Sequence, residues 1–277
     1  MRFGVQIRAT AATADLRELG RALEAGGFDA LYLPEHTHIP LSVSSLFPDD
    51  PGWLDACKQM LDPFVALASV AAVTERLLLG TGVCLLSQHD PIVLAKTVAT
   101  LDVVSNGRVR LGVGAGWNEP EMRNHGVDPR RRWAITRENA LAMKAIWTNE
   151  VAEFHGEFVD FDPIWLWPKP VQHPHPPIAV AGEGPRVLDR VLDFGDEWIP
   201  NEHEGVEERI GELHRRAEAL GRPPIPTTIY ATPRDPAVIE RYIEAGAHRI
   251  VFNLPRTSPG DEMAGVHEVV DLIRAYV

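Results

Sequence analysis

The stretch Leu111-Gly-Val-Gly-Ala-Gly-Trp-Asn-Glu-Pro-Glu121 decides the fold, because an alternating apolar strand runs straight into backbone with few side chains. Val109, Leu111 and Val113 alternate as they would in a barrel strand, and the glycines between and after them let a ligand approach the main chain. A tight strand-to-loop turn is the alternative interpretation. The pattern is GxGxG rather than GxGxxG, and no helix is expected to open at once after it, which argues against a dinucleotide fingerprint.

Strand-like and helix-like segments alternate along the rest of the chain. Three helix starts are marked by the pairs Asp62-Pro63, Asp90-Pro91 and Asp235-Pro236. In each pair the aspartate caps the helix and the proline takes the first helical position, where its missing N–H costs nothing. The other predicted strands cover residues 3–7, 29–33, 77–83, 178–181, 197–200, 227–231 and 249–254. Eight strands that alternate with eight helical patterns predict an α/β fold, a parallel (β/α)8 TIM barrel rather than an open doubly wound sheet.

The chain is expected to form a single barrel domain over residues 1–277, with insertion loops at its C-terminal face near 38–58 and 150–177. Periodicity is lost from 39 to 58, which we interpret as a loop inserted over one face. In the second insertion, Phe154-His-Gly-Glu-Phe-Val-Asp-Phe161 predicts a small hairpin around its central glycine, followed by an irregular segment rich in Pro, Trp and His.

Composition narrows the class of function. The formal charge is 27 minus 39, or −12, which argues against a nucleic-acid partner or an anionic membrane surface and leaves a small-molecule substrate as the expectation. No apolar run is long enough to span a bilayer. With Cys57 and Cys84 as the only cysteines and no apolar signal-peptide core at the start, a cytoplasmic location is expected.

The functional site of such a barrel is expected where the carboxyl ends of its strands converge. The successive strand ends carry Glu35-His36, Gly80-Thr-Gly-Val-Cys84, Gly114-Ala-Gly-Trp-Asn118, Gly182-Glu-Gly184 and Pro200-Asn201. Three of them are rich in glycine, so a flat or extended ligand could lie against bare backbone. The strand end at Gly182-Glu-Gly184 also precedes a helix, whose free N–H groups and positive dipole end favour a phosphate.

Six motifs in order carry a resemblance: Leu33-Pro-Glu-His36, Leu79-Gly-Thr-Gly-Val83, Leu111-Gly-Val-Gly-Ala-Gly-Trp117, Phe154-His-Gly156, Pro168-Lys-Pro170 and Asp196-Glu-Trp-Ile-Pro200. Their combination over almost the whole chain resembles the luciferase-like monooxygenase superfamily, which implies a barrel of the bacterial luciferase-like type. More narrowly, the chain is similar to the actinobacterial branch that uses the deazaflavin coenzyme F420, with FMN as the alternative cofactor. Homodimers are usual in this family.

The resemblance implies a redox site at the ends of the second and third strands. It places a non-prolyl cis peptide at Gly82-Val83, under the central ring of the flavin or deazaflavin. It places His36 beside that ring, where a histidine can bind the cofactor or move a proton at neutral pH. A solvated loop histidine is the other interpretation of His36.

The resemblance also assigns contacts along the rest of the cofactor. The ring or ribityl chain would be touched by Gly114, Gly116 and Asn118. The phosphate end would be lined by Gly182, Glu183 and Gly184. Since Glu183 is acidic, its backbone rather than its carboxylate must do the binding. Arg130, Arg131 and Arg132 could supply positive charge, although a solvated basic run is the preferred interpretation for at least two of the three.

One residue departs from the pattern of the related sugar-phosphate dehydrogenases. They carry an acidic catalytic residue directly after the second glycine of the GxG motif, where this chain has Trp117, so a sugar-phosphate reaction is not expected. Four tryptophans in predicted loops indicate a roomy apolar substrate pocket, or else packing anchors: Trp53, Trp117, Trp165 and Trp167.

These expectations favour an F420-dependent oxidoreductase that transfers a hydride between C5 of the deazaflavin and an organic substrate, with His36 assisting proton movement. Three alternatives stay open. The same barrel could serve as an FMN-dependent two-component monooxygenase. His36-Thr-His38 with Glu35 resembles the metal-binding histidine pair of a barrel hydrolase, although the later strand ends offer glycine and asparagine rather than further metal ligands. The last alternative is a barrel that binds F420 but catalyses no reaction.

Overall fold

A computed structural model describes residues 1–43, 51–254 and 261–276 of the chain. The strands are β1 Arg2–Gln6, β2 Ala30–Leu33, β3 Leu78–Thr81, β4 Cys84–Leu85, β5 Val109–Gly114, β6 Ala152–His155, β7 Asp160–Ile164, β8 Ile178–Ala181, β9 Glu197–Ile199, β10 Thr228–Ile229 and β11 Arg249–Asn253. The helices are α1 Leu16–Ala25, α2 Pro51–Cys57, α3 Pro63–Ala71, α4 Pro91–Val104, α5 Glu119–Asn124, α6 Arg132–Thr148, α7 Val187–Phe194, α8 Val206–Ala219, α9 Pro236–Glu244 and α10 Asp261–Ile273.

The main sheet is parallel and nearly closed. Its strands run in the order β10-β11-β1-β2-β3-β5-β8-β9, and the short β4 pairs with β5. Parallel bridges join Trp198 to Thr227 and Asn201 to Tyr230, which brings the two end strands together. Helices surround the sheet, so the (β/α)8 prediction is confirmed.

The capping signals act as the sequence indicates. The side chains of Asp62, Asp90 and Asp235 accept hydrogen bonds from N–H groups in the first turns of α3, α4 and α9, and each helix has its proline at the start. The predicted hairpin is also present, as the antiparallel pair β6 and β7.

Two local predictions are wrong. Residues 51–57 of the first insertion form helix α2 rather than irregular loop, while residues 44–50 lie outside the described part. A helix does open soon after the glycine-rich strand end, since Asn118 caps α5 and Pro120 lies in its first turn. The Asn118-x-x-Glu121 spacing is that of a capping box, a start signal that outweighs the turn character of the preceding glycines.

The amino-terminal ends of the strands close the barrel floor with buried charge. Arg249 is fully buried and donates hydrogen bonds to Asp29 at 2.7 Å and to the Tyr32 hydroxyl at 3.0 Å. Burial raises the pKa of Tyr32 to about 12. This network lies opposite the carboxyl ends of the strands, which leaves that end as the open mouth. Among the described residues, none of the helices combines the length and apolarity needed to cross a membrane.

Close packing of β3 against β5 predicts a strong effect of Gly112→Ala. A methyl group there would lie 2.1 Å from the Thr81 carbonyl oxygen, a backbone atom fixed by strand pairing. We expect a loss of about 3 kcal/mol in the free energy of unfolding, measured by urea denaturation. Gly211→Ala is the control, because its methyl meets only the flexible end of Arg215, and it should stabilise α8 by up to about 1 kcal/mol. Equal stability of the two variants would contradict this packing.

Candidate functional site

The mouth of the barrel contains a buried histidine–carboxylate pair. Nδ1 of His36, just after β2, lies 2.7 Å from Oε2 of Glu121 on α5. The side chain of His36 is 7% exposed and that of Glu121 is 0% exposed. The other carboxylate oxygen of Glu121 accepts a hydrogen bond from the Thr37 N–H at 3.2 Å. Helix α5 and the loop after β2 are therefore joined through one buried carboxylate.

This pairing sets the chemistry that the imidazole of His36 can perform. An ionised carboxylate only accepts hydrogen bonds, so a neutral His36 paired with it carries its hydrogen on Nδ1 and leaves Nε2 as an acceptor. If Nε2 takes up a proton, the resulting imidazolium is compensated by Glu121. The arrangement suits a group that gives and takes one proton at Nε2.

Aromatic side chains form a wall beside His36. Trp117 packs edge-on against its ring at 5.6 Å, and Trp53 on α2 packs against Trp117 at 5.6 Å. The Arg8 guanidinium lies 5.8 Å from the Trp53 ring. Trp117 is 41% exposed, so the wall faces the open mouth.

The structure brings two of the four predicted pocket tryptophans to this wall. Trp165 and Trp167 instead line a separate surface groove against α4, together with Val93 and Lys96. They are 76% and 57% exposed. The prediction that all four share one substrate pocket is therefore wrong, because the β6–β7 insertion carries its tryptophans along α4.

The end of β3 has the geometry that the family resemblance implies. The Gly82–Val83 peptide bond is cis. The Gln6 side chain donates to the Gly82 carbonyl at 2.6 Å. A methyl group at Gly114 would lie 2.8 Å from Cγ2 of Val83, so this last position of β5 has room only for glycine. Gly116 has a φ of +78°, a conformation that glycine adopts at little cost.

Asn118 has a structural task in addition to the cofactor contact predicted for it. It is 1% exposed, and its side-chain oxygen accepts from the Glu121 N–H at 3.3 Å. Its Nδ2 has no partner within the described ranges. Asn118 therefore positions Glu121, and through it His36.

The end of β8 presents bare backbone on one side. The carbonyls of Gly182 and Gly184 accept from Trp198 and Arg209 at 2.9 and 3.0 Å. No atom lies within 4 Å of the place that a Cβ of Gly184 would occupy. The Glu183 carboxylate accepts from the backbone N–H of Asn201 at 2.7 Å, so it is engaged with the residues that follow β9.

The basic run before α6 divides into two groups. Arg130 pairs with Asp128 at 2.9 Å and Arg131 pairs with Glu157 at 2.7 Å, both at the surface. Arg132 makes no ion pair with any carboxylate in the part of the chain that the structure describes. Two of the three arginines thus belong to a solvated surface, as the sequence interpretation prefers.

The residues of the possible metal motif do not converge. His36 faces Glu121, whereas His38 bonds Thr37 and Asn124. Glu35 points away from both toward β4. Its carboxylate accepts from the Leu85 N–H at 2.7 Å.

Glu35 instead forms a buried cluster with Cys84 and His89. His89 Nε2 lies 2.9 Å from the Glu35 carboxylate, and the ligand-type atoms of the three residues all lie within 4.8 Å of one another. Burial alone would raise the pKa of Glu35, but the hydrogen bond and charge of His89 hold it below its ordinary value. Burial tends to lower the pKa of His89, yet Glu35 raises it overall. Burial and the Glu35 charge raise the pKa of the Cys84 thiol well above its ordinary range. The polar groups of the cluster satisfy one another and connect the ends of β2 and β4. We call the Glu35–His89 pair the Glu35–His89 brace.

Comparison with known proteins agrees with this geometry. The family model described as luciferase-like monooxygenase matches residues 1–255. The chain belongs to the luciferase-like monooxygenase family.

Proteins that are similar to this chain carry different cofactors in their names. An uncharacterized protein of Mycobacterium tuberculosis strain H37Rv is 40% identical over 255 residues, which cover 90% of each chain. An FMNH(2)-dependent dimethylsulfone monooxygenase of Pseudomonas putida is 32% identical over 137 residues, 48% of this chain and 38% of that protein. The structure of an F420-dependent secondary alcohol dehydrogenase with an F420–acetone adduct superposes with a TM-score of 0.76 at 18% identity, and covers 100% of this chain and 99% of that one.

Sequence reasoning alone missed the partners of the predicted residues of this luciferase-like site. Glu121 was part of the quoted stretch, and its capping-box spacing to Asn118 was the available signal for a helix at the mouth. His89 and Arg209 carry no comparable local signal, because they act on residues 54 and 25 positions away.

The Glu35–His89 brace predicts a bell-shaped pH dependence of stability. The ordinary pKa values of the two groups are 4.5 and 6.5. Because the pKa of Glu35 is lowered in the folded state, its ionised carboxylate stabilises the fold above about pH 4.5, and this stabilisation is lost on acidification. Because the pKa of His89 is raised, its charged imidazole stabilises the fold below about pH 6.5, and this stabilisation is lost as the pH rises through the folded pKa.

His89→Gln should therefore cost most between these pH values, about 1–2 kcal/mol, and less on either side. Unfolding curves of wild type and variant from pH 3 to 9 measure the difference. His155→Gln is the control, because it removes a surface histidine that contacts Asp160, and its effect should be small at every pH. A pH-independent cost of His89→Gln would show that packing rather than charge holds the brace.

Proposed function

We propose that the protein is an F420-dependent oxidoreductase that transfers a hydride between C5 of the deazaflavin and a carbon or imine-like centre of a small organic substrate. The observation that carries the proposal is the buried pair of His36 and Glu121 at the barrel mouth, 2.7 Å apart and covered by Trp117. A fixed imidazole with one free nitrogen is the group that proton movement beside a redox ring requires.

The described residues fit a flavin-type cofactor. Within 4 Å of the place of a Gly114 Cβ lies only the Val83 side chain among the residues that the structure describes, and a ring could pack against it. The bare turn of Gly182, Glu183 and Gly184 offers backbone to a phosphate. When bound, F420 would supply two-electron hydride chemistry, since it carries carbon where FMN carries a reactive nitrogen.

The protein's own groups would then handle the proton and the solvent. His36 takes up or releases a proton at Nε2, and the buried Glu121 carboxylate balances the charge on the imidazolium. Trp117 and Trp53 place an apolar wall beside the imidazole, which restricts water at the reacting centre and strengthens the His36–Glu121 attraction.

The same wall limits the class of substrate. Trp117 stands where related sugar-phosphate dehydrogenases carry an acidic residue, so we propose a small, largely apolar organic substrate. The F420-dependent secondary alcohol dehydrogenase, whose fold covers the whole chain, supports alcohols and ketones as the first compounds to test.

A second candidate is an FMN-dependent monooxygenase of the same fold. The partial similarity to the dimethylsulfone monooxygenase favours it, and the phosphate of FMN would suit the same turn at the end of β8. The two candidates differ in the cofactor that the apoprotein selects.

A titration of the purified protein with oxidised F420 and with FMN, followed by cofactor fluorescence, separates the candidates. We expect saturable binding of F420 at micromolar concentrations and at least about tenfold weaker binding of FMN, a difference near 1.4 kcal/mol. Preference for FMN would move the function to flavin chemistry. Failure to bind either cofactor would overturn the redox proposal.

Glu121→Gln tests the role assigned to the buried pair. The amide keeps the shape but cannot balance a charged imidazole, so F420 oxidation or reduction with an active alcohol or ketone should slow by about 10–100-fold. Its pH–rate profile should also shift, while F420 affinity stays the same. The control is Glu119→Gln on the same helix, whose carboxylate pairs with Arg123 at the surface. Equal rates and equal pH profiles for wild type and Glu121→Gln would refute the assignment.

A further inference from the structure

Three arginines lie close together on the rim of the barrel mouth. Arg132 is the first residue of α6, and Arg186 caps α7, with Arg190 one turn further along that helix. A helix that follows a barrel strand begins at the carboxyl end of the sheet, so both helix starts lie on the side of the mouth. We call Arg132, Arg186 and Arg190 the rim arginines.

The rim arginines carry positive charge at this end of the barrel. None of them forms an ion pair with a carboxylate in residues 1–43, 51–254 and 261–276. The acidic residues of α7 are engaged elsewhere, since Asp189 pairs with Arg216 and Asp193 with Arg137. In a chain of net charge −12, this rim is a local concentration of positive charge.

The arginines are also held close enough to repel one another. The Arg190 guanidinium stacks 3.9 Å above the Trp133 ring, which fixes it beside the start of α6. Burial lowers the pKa of Arg190, and the charges of Arg186 and Arg132 lower it further. The repulsion between like charges held close together is energetically unfavourable, and a bound anion would offset it.

The position of the rim arginines relative to the bare turn indicates which anion. Arg186 follows Gly184 by two residues. The part of a ligand that extends beyond a phosphate bound at the end of β8 would therefore reach the rim arginines next. Guanidinium groups match carboxylates and phosphates in a two-pronged geometry. FMN ends at its phosphate, whereas the side chain of F420 continues beyond the phosphate as a chain of carboxylates.

We propose that the rim arginines bind the anionic tail of F420 beyond its phosphate, and so select F420 over FMN. The inference rests on the proposed function, because it extends the cofactor site from the turn at Gly182, Glu183 and Gly184 to the rim. The selected ligand class is an oligocarboxylate that is joined to a deazaflavin phosphate.

The test is the double variant Arg186→Gln/Arg190→Gln, titrated with F420, FMN and riboflavin. We expect the dissociation constant for F420 to rise by about tenfold or more, and those for FMN and riboflavin to change less than about threefold. The salt dependence of F420 binding should also become shallower than in wild type. Arg215→Gln on α8, an exposed arginine away from the rim, is the control and should leave all three affinities unchanged.

Two further measurements keep the outcomes separate. Thermal unfolding shows whether the double variant is folded. Arg190→Lys retains the positive charge but loses the two-pronged geometry of the guanidinium group, so its F420 affinity should be intermediate. Unchanged F420 affinity in a folded double variant would overturn the inference and leave the proposed function intact.

If wild type binds neither F420 nor FMN, the proposed function fails. Calorimetric titration with tri-γ-glutamate, which needs no ring site, then tests the rim arginines by themselves. Weak binding that the double variant loses would support them as an oligocarboxylate site, and no binding to wild type would refute it.

Discussion

The mouth of this barrel depends on the burial of one carboxylate. An ionised carboxylate removed from water is costly unless hydrogen-bond donors surround it, and Glu121 is fully buried. It receives its donors from His36 and from the Thr37 N–H, so the loop after β2 must lie against α5. The capping of α5 by Asn118 then determines where the carboxylate stands. Loss of either hydrogen bond would leave one oxygen of this buried carboxylate without its donor.

The same constraint links structure to chemistry. A histidine that satisfies a buried carboxylate through Nδ1 cannot rotate freely, and its Nε2 is held at one place beside the Trp117 wall. The Glu35–His89 brace fixes the neighbouring end of β4 in the same way. Two adjacent residues of one loop, Glu35 and His36, thus face opposite directions, and each one anchors a different strand end or helix.

The barrel could be predicted from sequence because its signals are local. Asp-Pro helix starts, buried apolar strands and glycine-rich strand ends are each readable within a few residues, and the structure places them as expected. The glycines at 82, 114 and 184 were identified for the same reason, since a missing side chain is visible in the sequence itself. The prediction failed where a local signal was overlooked, as at α5, or where helix α2 lies within a segment without periodicity.

The partners in the site could not be predicted, because they depend on distant pairing. His36 and Glu121 are 85 positions apart, and Glu35 and His89 are 54 apart. Acidic residues are abundant in this chain, and the capping-box spacing of Glu121 predicts only a helix start, not a contact with His36. Only the assembled sheet, in which β2 and β5 flank β3, reveals which carboxylate meets the histidine.

A crystal structure of the protein with oxidised F420 tests the central claim most directly. The account predicts electron density for the deazaflavin ring against Val83, with the His36 imidazole in contact with the ring and still bonded to Glu121. A ring bound elsewhere, or a His36 that has left Glu121 and points away from the cofactor, would contradict it.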